Sequence, residues 1–280
     1  MPVNFTPNDR GLFGYESSHD VSVWINGEFL RIAIVACGGG SANGTMMVDM
    51  SGQGCSLVSD WRAVYATMQD LDARITRVDT ALDLLEGYDL EYFDGLYRDG
   101  QFNCGGRIPG RRYYESGNSH DLHSNGRTMY LGKKVNGKEL CIYEKGKQLG
   151  NPDSEWVRVE IRFGCRDRVI PHDVVLDPTK YFCGAFVALQ GLVDAVGEKI
   201  VTDKADVVQE EYGIAMRRLV HYMKASYGHV LHLLKQDFKD DLAAMIDSIA
   251  VPGVPRRLHK AVVARRANMA AGEIEQRCAA

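Results

Sequence analysis

The stretch WVRVEIRF at 156–163 alternates without a break, with Val157, Val159, Ile161 and Phe163 on one side and Arg158, Glu160 and Arg162 on the other. Side chains two apart in a strand project to the same face, so this run fits a strand with one apolar and one charged surface. The run RITRVDTALDLLEG at 74–87 repeats the rule: Arg77, Asp79 and Asp83 share one side, Val78 and Leu82 the other. Several charges on one face must be solvated, paired or holding an ion.

Two further pairs of β-rich runs surround Asn-Gly dipeptides, which supply the positive φ angles of a tight hairpin turn. DVSVWINGEFLRIAIVAC (20–37) turns at Asn26-Gly27, and TMYLGKKV turns at Asn136-Gly137 into KELCIYEKG, which sets Tyr143 and Lys145 opposite Ile142. Another strand is expected at GTMMVDMSG. The Gly-rich CGGGSANG (37–44) lacks the spacing of phosphate-binding or dinucleotide loops. Val58, Trp61, Val64, Tyr65, Met68 and Leu71 recur at helical spacing, which predicts an amphipathic helix over 58–72 with its stripe in the core.

A short helix is expected near 90–98. The region 100–127 is rich in Gly, Ser and Asn without a period and reads as a long loop; its Arg107, Arg111, Arg112, Tyr113 and Tyr114 mix cations with rings, as single-strand binding surfaces do, although a solvated loop has the same composition. From about 206 the pattern is helical, punctuated by Gly228, Pro252 and Pro255, and it ends in a basic tail of Arg256, Arg257, Lys260, Arg265 and Arg266. The expected architecture is α+β: a largely antiparallel sheet with helices packed on one face, in a β-rich domain 1–195, followed by a helical region 196–280.

Composition narrows the class. No apolar run approaches the roughly 18 residues that span a bilayer, and no secretory leader opens the chain, so a cytoplasmic protein without membrane contact is expected. The 7 cysteines are odd in number and include no C-x-x-C pair, which argues for reduced thiols and against a cysteine-held zinc. The net charge of −4 hides an asymmetry: residues 1–100 hold 6 Lys and Arg against 15 Asp and Glu, residues 101–180 hold 14 against 10, and residues 211–280 hold 11 against 7. Two basic regions of this kind are compatible with phosphate binding.

Strands at 75–83, 139–145 and 156–163 that share a sheet would gather Asp79, Asp83, Glu160, Arg158, Arg162, Tyr143 and Lys145 on its polar face. Hard divalent cations use one or two carboxylates plus water and substrate phosphate, and neighbouring cations hold phosphate oxygens. Such a face points to metal-assisted phosphodiester cleavage. The same residues also suit a plain solvent-facing sheet laced by cross-strand Arg–carboxylate pairs. His120 and His123 form H-x-x-H in a loop and lack the zinc-protease pattern.

RITRVDTALDLLEG, TMYLGKKVNGKELCIYEKGKQLG and WVRVEIRFGCRDRVIPHDVVLDPTKYFCGAF, in this order and spacing, resemble the replication initiation factor family, and MSGQGCSLVSDW and ASYGHVLHLL resemble its phage branch. The family comprises rolling-circle initiators of filamentous phages and small plasmids, with related relaxases. The resemblance implies a nicking-closing enzyme of a bacterial host cell that cuts one strand of double-stranded origin DNA through a tyrosine and a divalent metal, Mg²⁺ or Mn²⁺, and stays on the 5′ phosphate until it rejoins the ends. It further implies Asp79 and Glu160 as metal ligands with Asp83 beside them, Lys145 at the family's Y-x-K position, and Tyr181, the first tyrosine past Glu160, as nucleophile.

Tyr143 is the reserve nucleophile, because the spacing to Tyr181 is longer than in plasmid relatives. Arg77, Arg158, Arg162, Arg111, Arg112, Arg256 and Arg257 are the expected DNA-binding residues. The expected partners are origin duplex, single-stranded DNA, a host helicase and polymerase, and a second copy as a homodimer. Family members commonly carry more sequence ahead of the 20–37 hairpin, so an N-terminal strand is expected to be missing. The alternative from another class is a non-catalytic phage or plasmid DNA-binding regulator.

Overall fold

The computed structural model describes residues 2–262 except 9, 26–27, 41–43, 116, 118–124, 167, 198, 240, 256–257 and 259–261, with the backbone alone at 28 and 199–211. The Asn26-Gly27 turn, His120, His123 and the basic tail therefore lie outside the described residues. The chain divides into two compact units, residues 1–60 with 253–280, and residues 61–252.

In the first unit, β1 (Val3–Asn8), β2 (Ser17–Ile25), β3 (Glu28–Cys37) and β4 (Met46–Met50) form an antiparallel sheet in chain order. β2 and β3 are the expected hairpin, and β1 precedes it. Val23, Ile25 and Leu30 make a small core with Ile32 and Leu57 against it. The short α1 (Gly52–Ser56) starts at Ser51, whose hydroxyl accepts from the Gly54 N–H and so satisfies one of the helix's open donors.

The second unit is built on five antiparallel strands in the order β5 (Arg77–Leu84), β9 (Val157–Gly164), β8 (Lys138–Glu144), β7 (Arg127–Lys133), β6 (Arg111–Glu115). One face is apolar, as the alternation requires: Leu82, Leu84, Leu140, Ile142, Val159 and Ile161 join one buried cluster with Leu90 and Phe93 of α3 (Leu90–Arg98), Phe182 of α5 (Pro178–Cys183), and Leu189 and Leu192 of α6 (Val187–Val196). Full burial of such side chains is worth about 1.5–3 kcal/mol each, which fixes the face that turns inward. Helices thus cover one side of the sheet. Asp89 caps α3 through the Tyr92 N–H, and Asp177 caps α5 through the Lys180 N–H with Pro178 in its first turn. α4 (Lys145–Leu149), α7 (Lys199–Asp237) and α8 (Leu242–Ile249) complete the unit. No described helix is long and apolar enough to cross a membrane.

Four local expectations change. The 58–72 helix is α2 (Trp61–Asp70), and none of its residues is buried; it leans on the 3₁₀ turn His172–Val175, where Gln69 meets His172 Nδ1 and the Tyr65 ring stands edge-on to the imidazole. Its stripe of Trp61, Val64, Tyr65 and Met68 is half-buried. The supposed loop at 100–127 contains β6, paired in register with β7. The second hairpin turns through a 3₁₀ turn at Lys134–Asn136 closed by Gly137 at φ +73°, a conformation glycine adopts without steric cost. β8 stops at Glu144, so Lys145 opens α4 and does not extend the strand.

Candidate active site

The charges collect on the face of the five-stranded sheet opposite the helical cluster. Antiparallel register sets Asp79 opposite Arg162, Ala81 opposite Glu160 and Asp83 opposite Arg158, and then Arg162, Glu160 and Arg158 opposite Glu139, Cys141 and Tyr143 of β8. β7 and β6 continue the same face with Tyr130, Thr128, Arg112 and Tyr114. Asp79 and Asp83 each stand diagonal to Glu160, a relation that leaves roughly 7–8 Å between backbones, within reach of long side chains. Ala81, which has only a methyl group, lies between the two aspartates.

Each carboxylate is met by a guanidinium. Arg77 forks onto both oxygens of Asp79. Arg158 forks onto Asp83 at 2.7 and 2.8 Å, and the Trp156 indole N–H donates to Asp83 Oδ1 at 2.7 Å. Arg162 Nε donates to Glu160 at 2.5 Å and its Nη1 lies 3.4 Å from Glu139, so one side chain joins two acids. Glu139, only 3% exposed, is also held by Arg112 at 2.5 Å. Nothing in the sequence marked Glu139, because a lone acid after a lysine reads as solvent-facing and its burial depends on arginines of two other strands.

The tyrosines differ in setting. Tyr143 lies on the charged face opposite Arg158, and burial pushes its phenol up to about 12 although Arg158 opposes the shift. The Lys145 ammonium is 5.9 Å from its ring centre. Tyr181 is on α5, next to the core residue Phe182, and its hydroxyl donates to Asp173. Burial first, then that carboxylate, raises the Tyr181 phenol to about 12. Lys180 reaches the same Asp173 at 3.3 Å. Arg111 and Arg112 separate: Arg112 joins the charged face, while Arg111 turns to the helix side, pairing with Asp94 of α3 and lying 5.5 Å from the Tyr97 ring centre. Arg256 and Arg257 lie outside the described residues.

Among the described residues no group of three His, Cys, Asp or Glu comes together to hold a metal ion by itself. The donor set nonetheless fits the sparse binding mode of Mg²⁺ and Mn²⁺, in which one or two carboxylates act with water and substrate phosphate. Asp79 and Glu160 would supply that pair, with Asp83 tied more firmly into its arginine and tryptophan.

The sequence matches a family described as replication initiation factor over residues 73–249. Among solved structures, a rolling circle replication initiator protein from Geobacillus stearothermophilus is similar, at 23% identity and a TM-score of 0.45, over 61% of this chain and 63% of that one, less than two thirds of its length. No curated protein matches.

Proposed function

From the premise that this chain belongs to the replication initiation factor family, matched over more than half its length, we propose that it is a rolling-circle initiator that nicks and rejoins one strand of origin DNA. The observation that carries this reading is the gathering of Asp79, Asp83 and Glu160 with Arg77, Arg158 and Arg162 on the sheet face opposite the helical cluster of the described residues. The arginines are suited to grip phosphate oxygens bidentately. Asp79 and Glu160 would hold a divalent ion, and its chemistry when bound would be Lewis-acid polarisation of the scissile phosphate.

In this reading a tyrosine oxygen attacks phosphorus, the bond from phosphorus to the 3′ oxygen breaks, and the 3′ oxygen takes up a proton. The phosphotyrosine keeps the bond energy, so the reverse attack by the 3′ hydroxyl reseals the strand without a nucleotide cofactor. Tyr181 is our first assignment, on the family resemblance; its hydroxyl donates to Asp173, and α5 packs in the helical layer on the other face of the sheet from Asp79 and Glu160. Tyr143 is the reserve, supported by its place on the charged face. The catalytic part is assigned to residues 1–195 and the helical 196–280 to DNA contacts, with helicase and polymerase recruited by the nicked complex.

One observation favours the non-catalytic regulator: each of the three carboxylates is already engaged by arginine. Incubation with supercoiled replicative-form phage DNA and Mg²⁺ or Mn²⁺ decides between them. Open circles carrying covalent protein are expected; intact supercoils under every metal condition would leave the regulator.

A further inference from the structure

We propose that the recess at the β6–β8 end of the charged face is a subsite for one unpaired nucleotide of the DNA strand, an inference that rests on the DNA-nicking reading above. The recess has a volume of about 480 Å³, and Arg112, Tyr114, Tyr130, Lys133, Lys134 and Arg162 are among the residues that line it. Its floor is rigid. Buried Glu139 holds Arg112 and Arg162, and both guanidinium groups lie against the Tyr130 ring, 5.2 and 5.9 Å from its centre. The Gly132 carbonyl accepts a further bond from Arg112, and Arg112 Nε is buried without an acceptor among the described residues.

Above this floor Tyr114 is 55% exposed, standing edge-on to Tyr130 at 5.6 Å. The lining therefore combines an open aromatic ring with four cations against one carboxylate. A nucleotide matches both properties, a flat base for the ring and a phosphate for the cations. The base must be unpaired, because in a duplex its faces are covered by neighbours. Arg162 links the recess to Glu160, so the two sites share one track. From β6 to β9 is three strand spacings, about 14 Å at roughly 4.8 Å each, which places the base a few nucleotides from the bond to be cut.

The test is binding of a short fluorescent single-stranded oligodeoxynucleotide without divalent ion, so that no chemistry intervenes. Tyr114→Ala should weaken binding about tenfold while leaving the melting temperature unchanged, and Tyr114→Trp should restore it. Lys133→Gln with Lys134→Gln should shallow the logarithmic salt slope by about 1.4. A 5-iodouracil oligonucleotide should photocrosslink to Tyr114. An unchanged affinity in Tyr114→Ala, or no single-strand binding by the unaltered protein, overturns the subsite. An equal loss for a blunt duplex of the same sequence also overturns it, by making the recess a backbone contact only. Nicking is read separately: failure to nick with the Tyr114-dependent binding intact removes the function proposed above and leaves the subsite standing.

Discussion

Asp79, Glu160 and Asp83 are chemically alike and differ in what they hold. Asp79 and Glu160 each answer to one arginine, whereas Asp83 accepts from Arg158 twice and from the Trp156 indole. Asp79→Asn and Glu160→Gln are therefore expected to abolish nicking with folding and DNA binding intact, as read by open-circle formation and thermal melting; unchanged nicking would end the metal-site assignment. Asp83→Asn removes a charged partner from a half-buried pair, a loss of about 1–3 kcal/mol, so it should lower the melting temperature by several degrees. The nucleophile rests on one atom. A phenol held near 12 must lose its proton as it attacks, and Tyr181→Phe removes only that oxygen. It should bind DNA and form no covalent adduct, while Tyr143→Phe keeps the adduct. Peptide mapping that places the DNA on Tyr143 would reverse the assignment without touching the nicking chemistry.

Among elements, the ends of β7 and β8 are pinned by a cluster on the helix side that the charged face does not share. Arg127 of β7 donates to both oxygens of buried Glu144 at the end of β8 and also pairs with Glu91 of α3, while Lys147 of α4 reaches Glu144 at 3.0 Å. Two carboxylates sharing one arginine thus tie β7, β8, α3 and α4 together. Burial by itself would raise the Glu144 carboxyl, but the bonds from Arg127 and Lys147 outweigh it and hold it below the usual range; the Arg127 bond lowers Glu91 likewise. Groups with depressed folded-state values add stability that is full above the unfolded value, near 4.3 for glutamate, and lost as pH falls through the folded value. Denaturant melts from pH 6 downward should show that acid limb. Glu144→Gln should flatten it and cost about 3–5 kcal/mol at neutral pH by leaving Arg127 partly unpaired in its buried site. A variant with the same limb would remove the cluster from the acid response.

At the scale of the whole molecule, charge is segregated along the chain, with 15 acids against 6 bases before residue 101 and two basic stretches after it. Each phosphate neutralised releases a counterion, so origin affinity should fall steeply with salt. Replacing Arg256, Arg257, Arg265 and Arg266 with glutamine should shallow the slope of log affinity against log salt, by about 0.9 for each arginine that contacts duplex phosphate. An identical slope would remove the tail from the interface.

The alternation of 74–84 and 156–163 was legible in the sequence because a period of 2 is a local property: it required strands, an apolar and a charged side, and a helical layer over the apolar one. The identity of the polar set followed from the same parity, down to Asp79, Asp83, Glu160 and Tyr143. Register did not, since which residue stands opposite which depends on a partner strand up to 87 residues away, as from Arg77 to Gly164. The β8–β9 register likewise set Glu139 opposite Arg162, which also reaches Glu160 two residues away on its own strand. β6 escaped notice because both of its faces are cationic and aromatic, Arg111 with Tyr113 and Arg112 with Tyr114, so no apolar rhythm distinguishes it from a loop. Only its pairing with β7 sends Arg111 to Asp94 and Arg112 to Glu139, and the burial of Glu139 exists only where arginines from two other strands converge on it.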